Sequence, residues 1–583
     1  MEVELNTIKE SLWLNIAAAN VQAPAHAQLH KDHIMFASND KPFILAGKET
    51  VLRAMTVKLY EDDINDFYAK QELSQLSEAS CFNLSSIESI SHGLCDLICG
   101  ILELESLGGG DDIFAAGLDS LSVLKVLASI HNTLQSADKT KNDATLDASL
   151  VTASTIYKNP SIGKLSNALY KIVHPESQGG QDSASENIEL MQSLLLKYTD
   201  TLPARSTPTL IKSQSEEISV ILTGSTGSLG SYLLDTLLSK KHITRVFCLN
   251  RSTNGEERQI KGNKTRELQT DWTSQRVEFL HADLSKPMLG LDQDTYKLLL
   301  QQTTHIIHNQ WQVDFNLTLS SFEPHIHGVR NLVDFSLATP NNASIFFISS
   351  VGIVNNQRTN ASIPEALLTD FSVTEGGYGS SKLVSELMLS EAFIRSKVKS
   401  SVCRVGQISG PVEVQSGMWN KHEWLPSIIA SSKHLGMLPS ILPSLDRIDW
   451  LPVNQLAQII LELNELDSIP SSSTSPPPFM PIFHTVNPST TPWSSLLPTI
   501  KAHLGSSVQI VPWDTWLLTL RASQEGAEIA QNPGIKLLDF YEAADRMGKL
   551  GLELSMLETV NTEKMSKTLK EMGKVTPEWM GSG

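Results

Sequence analysis

The segment Thr223-Gly224-Ser225-Thr226-Gly227-Ser228-Leu229-Gly230 constrains this 583-residue chain more than any other. It follows a short β-branched run, ISVIL, and precedes an apolar-periodic stretch, SYLLDTLL, so it reads as a strand-to-helix turn. Glycines at such a turn let backbone N–H groups approach a pyrophosphate, and the helix N-terminus favours that charge. Gly224 is predicted to take the tight turn, Gly227 to permit close approach and Gly230 to let the helix pack on its strand. Thr223, Thr226 and Leu229 complete the predicted nucleotide loop. The spacing is G-x-x-G-x-x-G rather than G-x-G-x-x-G. A glycine-rich turn without a ligand is the competing reading, and the strand and helix on either side argue against it.

From Glu216 onward, short apolar runs (RVFCLN, VEFL, THIIHN, ASIFFISS) alternate with helical patterns, which predicts a doubly wound parallel α/β sheet. The second run ends at Asn250-Arg251. An acidic residue there would bind the ribose hydroxyls of NAD. Arginine pairs with a 2′-phosphate instead, which favours NADP(H), although a solvated strand-end cation has the same sequence. Asp283, after VEFL, suits either the adenine amino group or the cap of its own turn. Tyr378 and Lys382 lie four apart, on one face of a predicted helix. A lysine ammonium beside a phenol is expected to lower the tyrosine pKa and ready it for proton transfer. Ser349-Ser350 closes the strand IFFI, at the carboxyl end where such sheets place ligands.

Composition removes other classes. Acidic residues outnumber basic ones, 64 to 46, for a net charge of −18, so nucleic acid would be repelled. No run of about 18 apolar residues predicts a membrane span, and Glu2 and Glu4 sit where a secretory signal needs positive charge. The five cysteines are scattered, without paired CxxC zinc spacing, and fit a reduced, cytoplasmic setting. His305, His308, His325 and His327 cluster in sequence, but no carboxylate or cysteine has ligand spacing, so no metal site is expected. Cys95 and Cys99, four apart on an apolar helix, read as core.

The chain divides into residues 1–75, a short mixed segment; 80–175, helical; 176–215, linker-like, with a helical stretch at 188–198; and 216–583, with a smaller lobe mainly after 410. In the helical unit Leu94, Leu97, Ile98, Ile101 and Leu102 share one face, as do Leu121, Leu124, Leu127 and Ile130. Between the two helices lies the Gly/Asp-rich LGGGDDIFAAGLD. Ser120 starts the second helix, where a serine is ordinarily an N-cap. Trp419, Trp424 and Trp450 fit either an apolar acyl pocket or a tryptophan core.

Residues 216 to about 465 resemble the extended short-chain dehydrogenase/reductases, with TGxxGxxG, a strand-end serine and YxxxK. More narrowly, HIIHNQWQVDFNLTLSSFEPHIHGVRNLVDFS, YGSSKLVSE, CRVGQISG and DWLPVN are similar to the thioester reductase domains of carboxylic acid reductases, α-aminoadipate reductases and fungal non-ribosomal peptide synthetase-like enzymes. The resemblance implies Ser350, Tyr378 and Lys382 as catalytic residues, and Asn309 and Arg251 as residues lining the cofactor site. Gln310 stands where the family usually has a small residue. GLDSL resembles the attachment site of carrier proteins and implies 4′-phosphopantetheine on Ser120. Residues 42–68 look like the tail of an adenylation domain, in which Lys48 matches a lysine that contacts the acyl adenylate, although Glu49 replaces the glycine after it.

The resemblance implies an α/β chain. Its C-terminal Rossmann-type domain is preceded by an all-α carrier four-helix bundle and an α+β adenylation-domain remnant. The implied activity is NADPH-dependent reductive release of a carrier-bound acyl thioester in secondary-metabolite biosynthesis, as an aldehyde or, after a second reduction, as an alcohol. The implied partners are a phosphopantetheinyl transferase, a small-molecule acyl substrate, and an acyl-donating synthase or adenylating enzyme in trans. The alternatives are a freestanding dehydrogenase or epimerase, and a non-catalytic scaffold docking to a synthase.

Overall fold

In the computed structural model, the alternation after residue 216 closes into a seven-stranded, all-parallel sheet. The structure describes residues 82–138, 151–173, 183–205 and 217–580. Within these spans it omits 103, 115, 119, 274, 316, 341, 358–360, 413–418, 421–422, 468–477, 524–530 and 552–554. Before residue 82 it describes only scattered positions, so Lys48, Glu49 and most of the strand-like runs of the N-terminal segment lie outside the described residues.

The sheet strands are β1 (Ile218–Thr223), β2 (Ile243–Asn250), β3 (Val277–His281), β4 (His305–His308), β5 (Ser344–Ser350), β6 (Ser400–Val405) and β7 (Ile482–Thr485). Their order is β7-β6-β5-β4-β1-β2-β3, so the strand order reverses between β1 and β4. Open α/β sheets bind ligands at such a switch point. Every residue of β1 is buried, as strands covered on both faces require. Alternation sends Ile221, Phe247 and Phe347 to one face and Val220, Val246 and Phe346 to the other.

Among the described residues, α1 (Ile87–Leu102), α2 (Ser120–Asp138), α3 (Ala153–Lys158) and α4 (Ile162–Val173) make up the helical region read from the sequence. Contacts divide the chain into two units, residues 1–84 with 124–149, and residues 85–123 with 150–583. In the first unit, Val126, Ile130 and Leu134 form the buried face of α2. That face is turned from the expected stripe, since Leu127 is half-buried; the side chains of Leu121 and Leu124 lie outside the described residues. In the second unit, α1 packs on α4 through an apolar face that includes Leu94 and Ile98. The sulfurs of Cys95 and Cys99 lie 3.9 Å apart, and Cys99 is buried.

Helix α5 (Ser183–Thr199) falls in the segment read as linker, yet it is part of the sheet domain. It packs on α9 (Glu323–Ala338) and α10 (Gly376–Ser396), burying Met191 and Leu194 in the core of that face. Arg395 donates to Thr199 O at 2.9 Å and Arg330 to Tyr198 O at 2.6 Å, so arginines complete the carbonyls that the helix end leaves open. The opposite face is covered by α6 (Ser228–Ser239) and α12 (Val453–Leu463), separated in sequence by α7 (Gly255–Thr265), α8 (Gln293–Gln302) and α11 (Trp424–Leu435).

The smaller lobe is built on α11, α13 (Leu497–Leu504), α14 (Trp513–Ala522) and α15 (Leu538–Lys549) around Trp493, Trp516, Tyr541 and Trp450. Trp450 is 2% exposed and Trp419 and Trp424 pack against this cluster, so these indoles serve the core. Beyond it, Glu365 accepts hydrogen bonds from the backbone N–H groups of Asn561 and Thr562, at the start of α16 (Val560–Met565), and from His484 N of the edge strand β7. Among the described residues no helix is long and apolar enough to cross a membrane.

Candidate active site

The glycine turn joins β1 to α6 as the sequence predicts. Gly224 has φ +69°, a left-handed conformation that favours glycine, and a Cβ there would lie 3.0 Å from Gln310 Cα. A Cβ on Gly230 would lie 2.1 Å from Gly224 O. The close neighbour of Gly230 is thus the loop itself rather than the strand. Gly227 is exposed and caps α6, leaving the first amides of the helix open to an anion.

Thr223 acts from beneath the loop. It is fully buried, and its hydroxyl accepts from Asn309 N at 3.1 Å and Gln310 N at 3.0 Å and pairs with His308 Nδ1 at 2.9 Å. Asn309 Nδ2 donates to Gly224 O at 3.2 Å, tying the end of β4 to the turn. Thr226 is half-buried near Asn250, and Leu229 is buried in the core below. Asn250, which sequence reasoning passed over in favour of Arg251, donates to Ser225 Oγ at 3.1 Å and pins the loop to β2.

Arg251, Asp283, Ser285, His308, Gln310 and His325 line a cleft beside this turn. Burial pushes Asp283 up, but the Ser285 hydroxyl and amide, with Lys286 and Arg251, outweigh it and hold the carboxyl below its usual range. Asp283 therefore caps its own turn and remains anionic beside Arg251. Burial, with Arg251 and Lys382 nearby, lowers His325 to about 4, so it is neutral at pH 7. His308, which lines the cleft, has a buried Nε2 that finds no hydrogen-bond partner among the described residues. A glycine cradle that rejects a Cβ, a strand-end arginine and an unsatisfied buried nitrogen together fit a phosphorylated dinucleotide.

The second half of the site meets the first at the carboxyl end of β5. Ser350 Oγ accepts from Gly352 N at 3.0 Å and hydrogen-bonds the Tyr378 hydroxyl. Ser349 faces the other way and donates to Glu386 at 2.5 Å. Glu386 and Arg404 form a fully buried ion pair at 2.7 Å, and Arg404 Nη1 meets His484 Nε2 at 3.1 Å. His484 Nδ1 then donates to Glu558 O at 2.8 Å, so the geometry fixes the Nδ1–H tautomer.

Tyr378 and Lys382 lie on α10, Tyr378 in its first turn and Lys382 one turn further along. The expected lowering of the tyrosine pKa by the lysine is not what the structure shows. Lys382 Nζ lies 6.0 Å from the Tyr378 ring centroid and donates to Ile348 O at 2.6 Å. Burial pushes the Tyr378 phenol up, opposed by the Ser350 hydrogen bond, and burial pulls Lys382 well below the usual lysine range, opposed by Glu386. Both groups are desolvated, and desolvation disfavours each charged form.

Aromatic rings enclose the pair. Phe315 is 67% exposed, with its ring centroid 4.9 Å from that of Tyr378. Phe322 approaches Tyr378 edge-on at 6.1 Å, and Trp311 packs against His325 at 5.0 Å. Sequence reasoning missed these rings; the only trace of them is the aromatic spacing in WQVDFN and SSF. Ser120 is the first residue of α2, and its side chain and Asp119 lie outside the described residues. Among the described residues no three His, Cys, Asp or Glu side chains could hold a metal ion.

Three known families match along the chain, in order: the C-terminal domain of AMP-binding enzymes at residues 1–72, the phosphopantetheine attachment site at 92–169, and the NAD-binding Male sterility protein family at 222–460. The class is thus a carrier domain followed by a dinucleotide-binding reductase domain. A carboxylic acid reductase of Neurospora crassa is 38% identical over 98% of this chain and 53% of its own length. An adenylate-forming reductase of Heterobasidion annosum is 30% identical over 93% of this chain and 48% of its own length. The chain matches the fungal adenylate-forming reductases, carboxylic acid reductase-like, and spans about half the length of these curated relatives. The terminal R domain of the myxalamid PKS-NRPS pathway shares the fold, with a TM-score of 0.56 at 22% identity, covering 69% of this chain and 96% of its own. A thiolation-reductase di-domain from an archaeal non-ribosomal peptide synthetase has a TM-score of 0.50 at 18% identity, over 83% of this chain and 97% of its own.

Proposed function

We propose that this chain releases an acyl group from its own carrier domain by reducing the thioester to an aldehyde. The observation that carries the reading is the Ser350–Tyr378 hydroxyl pair at the end of β5, two strands from the glycine turn at β1. Bound NADPH supplies the hydride. Ser350 and Tyr378 donate hydrogen bonds to the carbonyl oxygen as it gains negative charge, where fixed donors act most strongly. Tyr378, kept protonated by burial, is the proton source for that oxygen. The carbonyl then re-forms as the C–S bond breaks and the proton passes to sulfur, so that the aldehyde and the free carrier thiol separate. Lys382 is assigned to the nicotinamide ribose, Arg251 to the 2′-phosphate, Asp283 and Asn309 to the adenosine side, and Gly224, Gly227 and Gly230 to the pyrophosphate. Thr223, Thr226 and Leu229 shape that loop.

In this reading Ser120 carries 4′-phosphopantetheine, installed by a phosphopantetheinyl transferase that the carrier domain implies. The acyl group is loaded by an acyl-donating synthase or by adenylation. Residues 1–75 are assigned to the C-terminal subdomain of an adenylation domain, 80–175 to the carrier and 216–583 to the reductase. We assign the reaction to the cytoplasm, consistent with four free thiols at Cys95, Cys99, Cys248 and Cys403.

The test loads Ser120 with an acyl-pantetheine and follows NADPH absorbance and aldehyde release. The expected result is stoichiometric NADPH oxidation with an aldehyde product. Oxidation no faster than that of a Tyr378→Phe control would reject the proposal.

A further inference from the structure

Lys382 is buried, 2% exposed, in the middle of the site, and its surroundings are unusual for a cation. Its ammonium donates to one carbonyl, Ile348 O, at 2.6 Å. It lies 4.0 Å from the Trp311 ring centroid and 4.6 Å from that of Phe347, within the range of cation–π attraction. Among the described residues it forms no ion pair; the carboxylate one turn along α10, Glu386, is engaged by Arg404. The other titratable groups around it do not supply a counter-charge. His308 on β4 and His325 on α9 are both held neutral by burial, and Tyr378 on its own helix is protonated. Arg251 stands beside His325 and adds only positive charge.

We propose that Trp311 and Phe347 form an aromatic cradle that offsets part of the burial penalty on the Lys382 ammonium and holds it in place, and that Trp311 is therefore a positioning residue of the reductase site. A buried ammonium with one hydrogen bond and no ion pair is costly to keep. Two π faces at these distances replace part of the lost hydration, and they do so without a carboxylate that would draw the lysine away from the site. Trp311 is the stronger of the two, since its indole is closer and has the larger quadrupole. Its Nε1 is buried without a hydrogen-bond partner among the described residues, and the ring packs by its faces and edges against Lys382, His325 and Phe347. The role in reduction rests on the reading given under Proposed function; the protonation state of Lys382 does not.

The experiment follows the titration of Lys382 directly, with no coenzyme and no acyl group. The full chain is labelled with ¹³Cε-lysine, the Lys382 signal is assigned as the one absent from Lys382→Arg, and its chemical shift is followed with pH. Trp311→Leu is expected to move the midpoint down by about one pH unit, a tenfold change in the protonated fraction on the alkaline side. Trp311→Phe, which keeps a π face, is expected to recover more than half of that shift, and Phe347→Leu to give a smaller shift of the same sign. A loss of packing alone does not predict this order. An unchanged midpoint in Trp311→Leu would overturn the proposal. If that variant does not fold, an unchanged midpoint in Phe347→Leu does the same. Should the wild-type chain fail to oxidise NADPH, these midpoints still decide the cradle.

Discussion

Two adjacent serines end β5, and they have different work. Ser350→Ala is expected to lower kcat by about 10²–10³, since it removes one donor to the developing oxyanion. Tyr378→Phe should cost about 10²–10⁴, with NADPH binding retained. Ser349→Ala should change kcat by less than about threefold, because Arg404 still holds both oxygens of Glu386. Stopped-flow absorbance on the loaded chain reads all three, and a large loss in Ser349→Ala would transfer the catalytic assignment. A pH effect belongs at this scale too. Burial raises Asp449 to about 6, opposed by Arg447, from an ordinary 3.8. The folded state therefore binds the proton more tightly than the unfolded one. The stability this gives is full below pH 3.8 and is lost as pH rises through 6. Asp449→Asn should escape that loss and be more stable by about 1–2 kcal/mol at neutral pH, with the gap closing on acidification, as denaturant melts at several pH values would show. Residue identities were legible where a backbone demand selects them, as at Gly224 and Gly230. The state of Lys382 was not, because spacing along a helix says nothing of the Trp311 and Phe347 rings brought to it from other elements.

At the level of elements, the strands of the sheet announce themselves as short β-branched runs, and β1, β2, β4 and β5 lie where the apolar runs put them. Helix α5 did not, as a member of this domain. Its surroundings are rich in Ser, Gly and Pro, and its apolar residues give only a helical period, so what the helix packs against is decided by α9 and α10 some 130 to 200 residues later. Met191→Ala tests that membership. The side chain is fully buried in the sheet-domain core, and its truncation should destabilise the reductase by about 2–4 kcal/mol. A change of a few tenths of a kcal/mol in urea denaturation would mean that α5 is only docked. Likewise the tryptophans of the smaller lobe were legible as apolar mass, but their assembly around Trp493 and Trp516 follows from tertiary packing that no local pattern encodes.

For the whole molecule, the reading couples a carrier serine to a distant hydride site, and a single substitution separates the two. Ser120→Ala should abolish the mass increase on incubation with a phosphopantetheinyl transferase and all turnover of carrier-loaded acyl groups. Slow reduction of a soluble acyl-pantetheine thioester should persist. Full loss of the soluble reaction as well would count against a separable reductase. The net charge of −18 also frames the cleft: a polyanionic coenzyme approaches an acidic protein, so Arg251 and the open amides of α6 must supply local attraction against the overall field. The clasp at the sheet margin has a consequence for biosynthesis. The outward amide of His484 is met by Glu365 and by the Thr562 hydroxyl, the latter about 80 residues downstream of β7. Until the ribosome has made Thr562, that margin of the nascent sheet is only half guarded and can pair with a neighbouring chain. Slow translation across that stretch should therefore lower the yield of monomeric protein more than the same delay placed earlier in the message.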